Sequence, residues 1–203
     1  MIVDEKINNS QYLVLKWLDL FLETKNPIYA WRTYQNARRL GLPIPDEVMT
    51  YLDGAADRIV KTANNPPPAA KRPMEVARAL GLGKKQSGAG SAFGEYADRQ
   101  NKRKIAMEAF FEVKDGATPY AVFEGIGEKY GNIGSSTVRR YYEEYLNIWE
   151  RMLKSLIDQG LIEIERTEGD GSPKVNSKMQ VAGTIDDMRE AAIILSLASD
   201  LLK

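Results

Sequence analysis

The chain has 203 residues, 43% hydrophobic and 28% charged, and its 28 basic and 28 acidic side chains cancel to zero net charge. This composition is typical of one large or two small globular domains that each bury a core. Cysteine and histidine are both absent, which excludes disulfides and Ser-His-Asp triads and argues against a zinc site. We therefore expect no cofactor, no metal and no catalytic centre.

The sequence also contains no window that approaches about 18 consecutive apolar residues, the length of a membrane span. The first ten residues, MIVDEKINNS, are acidic and polar and do not read as a signal peptide. These features predict a soluble, cytoplasmic protein that makes no contact with a membrane.

Charge is unevenly distributed along the chain. Residues 71–105 carry 9 basic and 3 acidic side chains, whereas residues 106–203 carry 11 basic and 17 acidic ones. A concentrated positive field favours an anionic partner, because neutralising phosphates provides non-specific affinity for DNA. The alternative is a solvated run of charges. The candidate backbone-binding residues of this region are Lys84, Lys85, Lys102, Arg103 and Lys104.

Three helices are predicted in an N-terminal unit, residues 1–63. The first covers about residues 9–23, where apolar residues occupy a wide face. The second begins at Pro27, with Asn26 as its N-cap, and ends before Gly41, a suitable C-cap residue. A third helix is predicted to begin at about Pro45, with Asp46 and Glu47 in its first turn.

Residues 64–92 are predicted to be a basic linker rich in proline and glycine, with a short helix near residues 71–82. Three consecutive prolines make its start semi-rigid. The stretch GLGKKQSGAGS lacks the spacing Gly-x4-Gly-Lys-Ser/Thr between a strand and a helix. A nucleotide-binding loop is therefore not predicted there.

The remainder, residues 93–203, is predicted to be one domain, and the fold class is mainly α: a helical bundle with a helix-turn-helix and a small C-terminal β-hairpin. The hairpin follows from alternation in LIEIER and from the turn signal EGDG after it. Its role as the wing of a winged helix, or another role, stays open. The predicted helices cover about 93–114, 118–130, 135–158 and 185–202, and the strands 161–166 and 174–181.

Residues 118–145, TPYAVFEGIGEKYGNIGSSTVRRYYEEY, form the most informative stretch. It resembles the helix-turn-helix of DNA-binding proteins. Gly127 matches the small residue where the two helices cross, Gly131 the glycine of the turn, and Val138 the buried residue of the second helix. The turn is one residue longer than the family pattern. An ordinary helical hairpin, with Ser135 or Ser136 as a cap, is the alternative.

The resemblance implies that the second helix lies in the major groove of DNA. Ser135, Ser136 and Thr137, at its start, would meet phosphates. Arg139 and Arg140 would reach phosphates or the edges of guanine.

The second helix also carries a coiled-coil-like seam, with apolar residues at alternating spacings of 4 and 3. Two interpretations remain: core packing within one chain, or a homodimer through residues 138–156 that reads two half-sites. The seam consists of Val138, Tyr142, Tyr145, Trp149, Met152 and Leu156.

The N-terminal stretch KNPIYAWRTYQNARRLGLPIPDEVMTYLD resembles segments of uncharacterised bacterial and prophage proteins. We therefore predict a DNA-binding protein that binds double-stranded DNA, a transcription regulator of a phage or mobile element. The alternative is a protein-protein interaction module, such as a phage inhibitor or adaptor of a host protein complex. No enzyme is predicted, because the acidic pairs Glu143-Glu144 and Asp186-Asp187 are adjacent on helices and point about 100° apart.

Overall fold

The computed structural model of the chain describes residues 3–83, 91–166, 173–177 and 185–200. This part of the chain is mainly helical, as the sequence predicts. A short 3-10 helix, Ala69–Lys71, precedes the fourth α-helix. The α-helices are α1 (Val3–Thr24), α2 (Pro27–Leu40), α3 (Asp46–Asn64), α4 (Arg72–Ala79), α5 (Ala92–Lys114), α6 (Pro119–Lys129), α7 (Ser135–Asp158) and α8 (Ile185–Asp200).

Two short strands, β1 (Ile162–Arg166) and β2 (Pro173–Ser177), pair antiparallel. The residues that connect them, and the predicted end of the second strand at 178–181, lie outside the described residues. β1 follows α7 only after all 24 residues of that helix, a length of about 36 Å at 1.5 Å per residue. The strands therefore do not directly follow the exposed start of α7 as a wing would.

Local capping explains the bounds of α2. The side-chain oxygen of Asn26 accepts a hydrogen bond from the backbone N–H of Ile28 at 3.1 Å, and Gly41 ends the helix with φ of +67°. Both predicted caps are confirmed. Asn26 is also buried, and its amide donates to the carbonyl of Ala92 at 2.9 Å. One side chain therefore caps α2 and attaches the start of α5 to it.

The chain divides into two compact units. We call residues 10–99 the N-terminal unit, and residues 1–9 with 100–203 the C-terminal unit. The division falls between Arg99 and Gln100, inside α5, rather than in the predicted linker at 64–92.

Part of that predicted linker is ordered against α3. The hydroxyl of Tyr51 donates to the carbonyl of Leu80 at 2.7 Å, and Arg58 Nε donates to the carbonyl of Ala79 at 2.8 Å. These two side chains of α3 hold the end of α4. The proline and glycine content of the stretch predicts a spacer. The composition does not indicate the contacts with α3, because their donors, Tyr51 and Arg58, lie elsewhere in the sequence.

Aromatic side chains dominate the core of the N-terminal unit. The rings of Trp17 and Tyr29 stack with centroids 5.8 Å apart, and Phe21 packs edge-on against Tyr51 at 5.6 Å. Val48 of α3 is fully buried beside them. Such pairs stabilise a core beyond the area they bury, by about 0.5–1.5 kcal/mol each.

In the C-terminal unit one core cluster joins α5, α6 and α7. All its members are apolar and buried: Ile105, Ala109, Val122, Phe123, Ile126 and Val138. The cluster therefore positions the start of α7 against α6, which is the region that the helix-turn-helix resemblance concerns.

The apolar seam of α7 lies inside the chain. Val138, Tyr145, Trp149, Met152 and Leu156 are all buried, and Tyr142 is half-buried. The ring of Trp149 packs edge-on against Phe110 of α5 at 5.8 Å. Of the two interpretations of the seam, core packing is therefore the one observed. The homodimer predicted through residues 138–156 stays a prediction, and the five buried side chains of the seam are not exposed for it.

Candidate nucleic-acid interface

Gly127 of α6 packs against the turn before α7 and leaves no room for a side chain. A methyl group built on Gly127 would lie 2.3 Å from the carbonyl oxygen of Ile133, well inside van der Waals contact. The N–H of Ile133 donates to the carbonyl of Gly127 at 3.0 Å. Glycine at this position therefore lets the turn fold back onto α6.

The turn between these helices contains two consecutive residues with left-handed backbone. Gly131 has φ of +89° and Asn132 has φ of +61°. Asparagine tolerates this conformation better than most residues with a side chain. The additional residue of the turn is accommodated in this way, and Val138 still reaches the core with no exposed surface.

The start of α7 differs from the prediction in its cap. Gly134 is the N-cap, and its carbonyl accepts hydrogen bonds from Thr137 and Val138. Ser135 and Ser136 are the first two residues of the helix, so the prediction that a serine caps it is wrong. Both side chains are exposed, and Thr137 is half-buried. The first N–H groups of a helix have no acceptor within it and favour an anion.

Arg139 and Arg140 are exposed on the next turn. Arg139 Nε donates to Glu143 Oε1 at 2.7 Å, one helical turn away. This pair is solvent-exposed at both ends and contributes little to stability, but it orients the guanidinium. If the guanidinium of Arg139 exchanged Glu143 for a phosphate as its partner, only this weak exposed ion pair would be lost.

A second basic group lies beside Arg140. The guanidinium of Arg140 lies 5.5 Å from the centre of the Tyr141 ring, and Lys102 Nζ of α5 lies 5.4 Å from the same ring. Each contact is a cation–π interaction, so one ring holds a basic side chain from α5 and another from α7 close to it. The ring thus joins α5 to the start of α7 as one positively charged surface.

No protein-family model, curated protein or solved structure matches this chain.

Arg103 does not belong to this surface. It is 6% exposed, and its guanidinium forms a two-pronged ion pair with Glu190 of α8, with distances of 3.1 Å and 3.0 Å. Trp149 Nε1 donates to the same carboxylate at 2.9 Å. The prediction that Arg103 contacts DNA is therefore wrong, because a buried guanidinium with its donors occupied cannot reach a phosphate.

Lys104 is exposed, but two residues along a helix are about 200° apart, so it does not share the face of Lys102. The basic run 102–104 thus contributes a single side chain to the surface beside Tyr141. Lys84 and Lys85 lie outside the described residues, and their predicted role stays a prediction.

An open groove of about 550 Å³ lies between the starts of α6 and α7. Tyr120 and Phe123 of α6 line one side, and Ser135 and Arg139 of α7 line the other. Tyr120 is 71% exposed. An exposed phenol next to helix-start hydroxyls is suited to contact a sugar or a phosphate.

The end of α6 is held to α5 by Glu108. Its carboxylate accepts a hydrogen bond from Tyr130 at 2.8 Å and pairs with Lys129. Burial raises the pKa of Glu108, but the hydrogen bonds from Lys129 and Tyr130 outweigh it, so the net pKa lies below the ordinary value. Burial and the bond to Glu108 raise the pKa of Tyr130 to about 12. The pair thus fixes the C-terminal end of α6 beside the turn.

Acidic side chains on α6 oppose the binding of an anion there. Glu124 and Glu128 are exposed on α6, and they repel any anion that approaches this helix. The basic side chains beside Tyr141 and at the start of α7 are therefore the part of this surface that favours an anion.

Two further findings concern other classes of site. Within the described ranges, no group of three or more carboxylates is arranged to hold a metal ion. None of the described helices combines the length and the apolar composition that a membrane crossing requires.

Tyr120 and the Lys102–Tyr141 contact show which features of the site the sequence can indicate and which it cannot. The pairing of Lys102 with Tyr141 joins residues far apart in sequence, and no local pattern indicates it. The pairing of Arg139 with Glu143, in contrast, has the i,i+4 spacing of helical ion pairs. The exposure of Tyr120 follows from its place at the second position of α6, where the face toward the core is taken by Val122 and Phe123.

Proposed function

We propose that this chain binds double-stranded DNA through the first two turns of α7, as a cytoplasmic regulator encoded by a phage or mobile element. The observation that carries the proposal is the exposed surface formed by Ser135, Ser136, Arg139 and Arg140. It projects from a helix anchored by Val138, next to the Lys102–Tyr141 pair.

The chemistry of this surface matches both parts of DNA recognition. Serine hydroxyls and helix-start N–H groups suit phosphates, which set the position of a protein on the duplex. Arginines on the following turn suit the O6 and N7 atoms of guanine in the major groove. Gly127 supports this arrangement because it allows α6 to lie directly against the turn.

The charge balance sets the expected strength. Glu143 neutralises part of Arg139, and Glu124 and Glu128 oppose close contact along α6. We therefore expect micromolar affinity for random-sequence duplex at low salt, within the range of non-specific binding.

The experiment is fluorescence anisotropy of the full chain with a labelled random-sequence duplex at several salt concentrations. The double variant Arg139→Ala/Arg140→Ala is expected to weaken binding at least tenfold. If both arginines bind phosphates, the slope of log affinity against log salt becomes shallower by about 0.9 for each phosphate that is no longer neutralised.

The matched control is Lys154→Ala, which removes one exposed positive charge from the same helix, about 20 Å further along its axis. It should change affinity far less than the double variant. Absence of binding at low salt, or equal affinity of the double variant and the control, would refute the proposal.

A further inference from the structure

The N-terminal unit contains an open groove of about 450 Å³ between α2 and α3. Trp31 and Tyr34 line it on α2, and Met49, Leu52, Ala56 and Ile59 line it on α3. The α3 residues follow each other at spacings of 3, 4 and 3, so they form one apolar stripe along nearly three turns. At 1.5 Å per residue this stripe is about 15 Å long.

The aromatic side of the groove is fixed by contacts between its own rings, and it stays exposed to solvent. Trp31 remains 39% exposed, although its ring packs edge-on against Tyr34 and Tyr51, each with centroids 6.3 Å apart. Tyr51 is itself attached to the carbonyl of Leu80 at 2.7 Å. Met49 and Ile59 are likewise exposed, at 38% and 36%. A preformed apolar groove of this kind is typical of a binding surface.

Among the described residues that line this groove, Arg38 is the one that carries a charge. It is exposed in the last turn of α2, and its side chain makes no ion pair or hydrogen bond with any described residue. Residues 84–90, KKQSGAG, are outside the described part, and they contain no carboxylate and no apolar side chain larger than alanine. Their chemistry does not complement the groove, which calls for an apolar occupant with a negative charge.

We propose that the groove docks an amphipathic α-helix of a protein partner. Its apolar side chains, at positions i, i+3 or i+4, and i+7, lie along the α3 stripe, and a flanking Asp or Glu pairs with Arg38. Three turns of such a helix match the length of the stripe, and helix-in-groove recognition uses this spacing of anchors. The carboxylate sets orientation, because charge complementarity at a rim contributes to specificity. Docking of this helix does not depend on DNA binding by α7.

The experiment is a selection from a display library of helical peptides against the full chain. Counter-selection uses Ala56→Arg, which places a long side chain in the groove from an exposed helical position and should leave the circular dichroism spectrum unchanged. Peptides enriched on the wild type and depleted on Ala56→Arg are expected to carry the apolar spacing and an acidic residue beside it.

Arg38→Glu tests the charge directly. The selected acidic peptide should bind this variant about fivefold more weakly or worse, measured by fluorescence anisotropy, since an exposed pair is removed and a repulsion is added. The same peptide with lysine in place of its acidic residue should recover affinity for Arg38→Glu.

Three results would overturn the proposal. They are equal enrichment on Ala56→Arg, selected peptides with no acidic preference, and light scattering that shows a dimer of the chain abolished by Ala56→Arg. The last result would assign the groove to a second copy of the chain.

Discussion

Replacing Gly127 by alanine tests whether α6 and the turn pack as closely as the structure indicates. An added Cβ would lie 2.3 Å from the carbonyl oxygen of Ile133, a backbone atom that cannot rotate away. The turn must shift by about 1 Å to restore a normal contact of about 3.5 Å. That shift also stretches the hydrogen bond from Ile133 to Gly127.

Two effects of opposite sign decide how much Gly127→Ala changes the free energy of unfolding. Alanine favours a helix interior over glycine by about 0.5–1 kcal/mol. Overpacking in a well-packed site costs about 1–3 kcal/mol, and a backbone neighbour places this case at the upper end. We therefore expect Gly127→Ala to lower the free energy of unfolding by about 1–2 kcal/mol.

Gly125 provides the matched control. It lies on the same helix, is exposed, and has no atom within 4 Å of an added Cβ. Gly125→Ala should raise stability by as much as about 1 kcal/mol. The two variants carry the same chemical change, so the difference between them, about 2–3 kcal/mol, reports the packing at Gly127.

The assay is urea denaturation followed by circular dichroism, with hydrogen exchange of the α6 amides to identify the transition that contains this helix. With a urea dependence of about 1–3 kcal/mol/M, the midpoints of the two variants should differ by about 0.7–3 M. If Gly127→Ala is as stable as Gly125→Ala, α6 and the turn do not approach each other this closely.

Two further perturbations test the C-terminal unit. Glu190→Ala leaves the guanidinium of Arg103 buried without its main partner and removes the acceptor of Trp149. We therefore expect the free energy of unfolding, measured by urea denaturation, to fall by about 3–5 kcal/mol. A fall of less than about 1 kcal/mol would show that the network is not formed. Tyr130 has a folded pKa of about 12, above its ordinary value of 10.0, so its contribution to stability is complete below pH 10.0 and is lost as pH rises toward 12. Tyr130→Phe, which cannot ionise, should lose less stability than the wild type across this window, and identical pH profiles would contradict the bond to Glu108.

Much of the helical architecture follows from local signals. Asn26, Pro27 and Gly41 delimit α2 because capping and backbone preference act within a few residues. The glycines of the segment 118–145 likewise indicate the tight turn before α7, because few other residues adopt its backbone.

Other features depend on which residues meet across the fold. The basic run 102–104 looks uniform in sequence, yet Arg103 is buried because Glu190, 87 residues later, compensates its charge. The cap of α7 differs from the prediction because the longer turn puts Gly134, and not a serine, at the cap position.

The sequence by itself therefore determined the helical class, the bounds of several helices and the stretch that carries the candidate interface. Only the tertiary structure decided which charges face solvent, that the α7 seam belongs to the core, and that α2 and α3 leave an apolar groove open. The reason is that helix formation is governed by interactions within about one or two turns. Burial and charge pairing depend instead on side chains that are distant in sequence and adjacent only after folding.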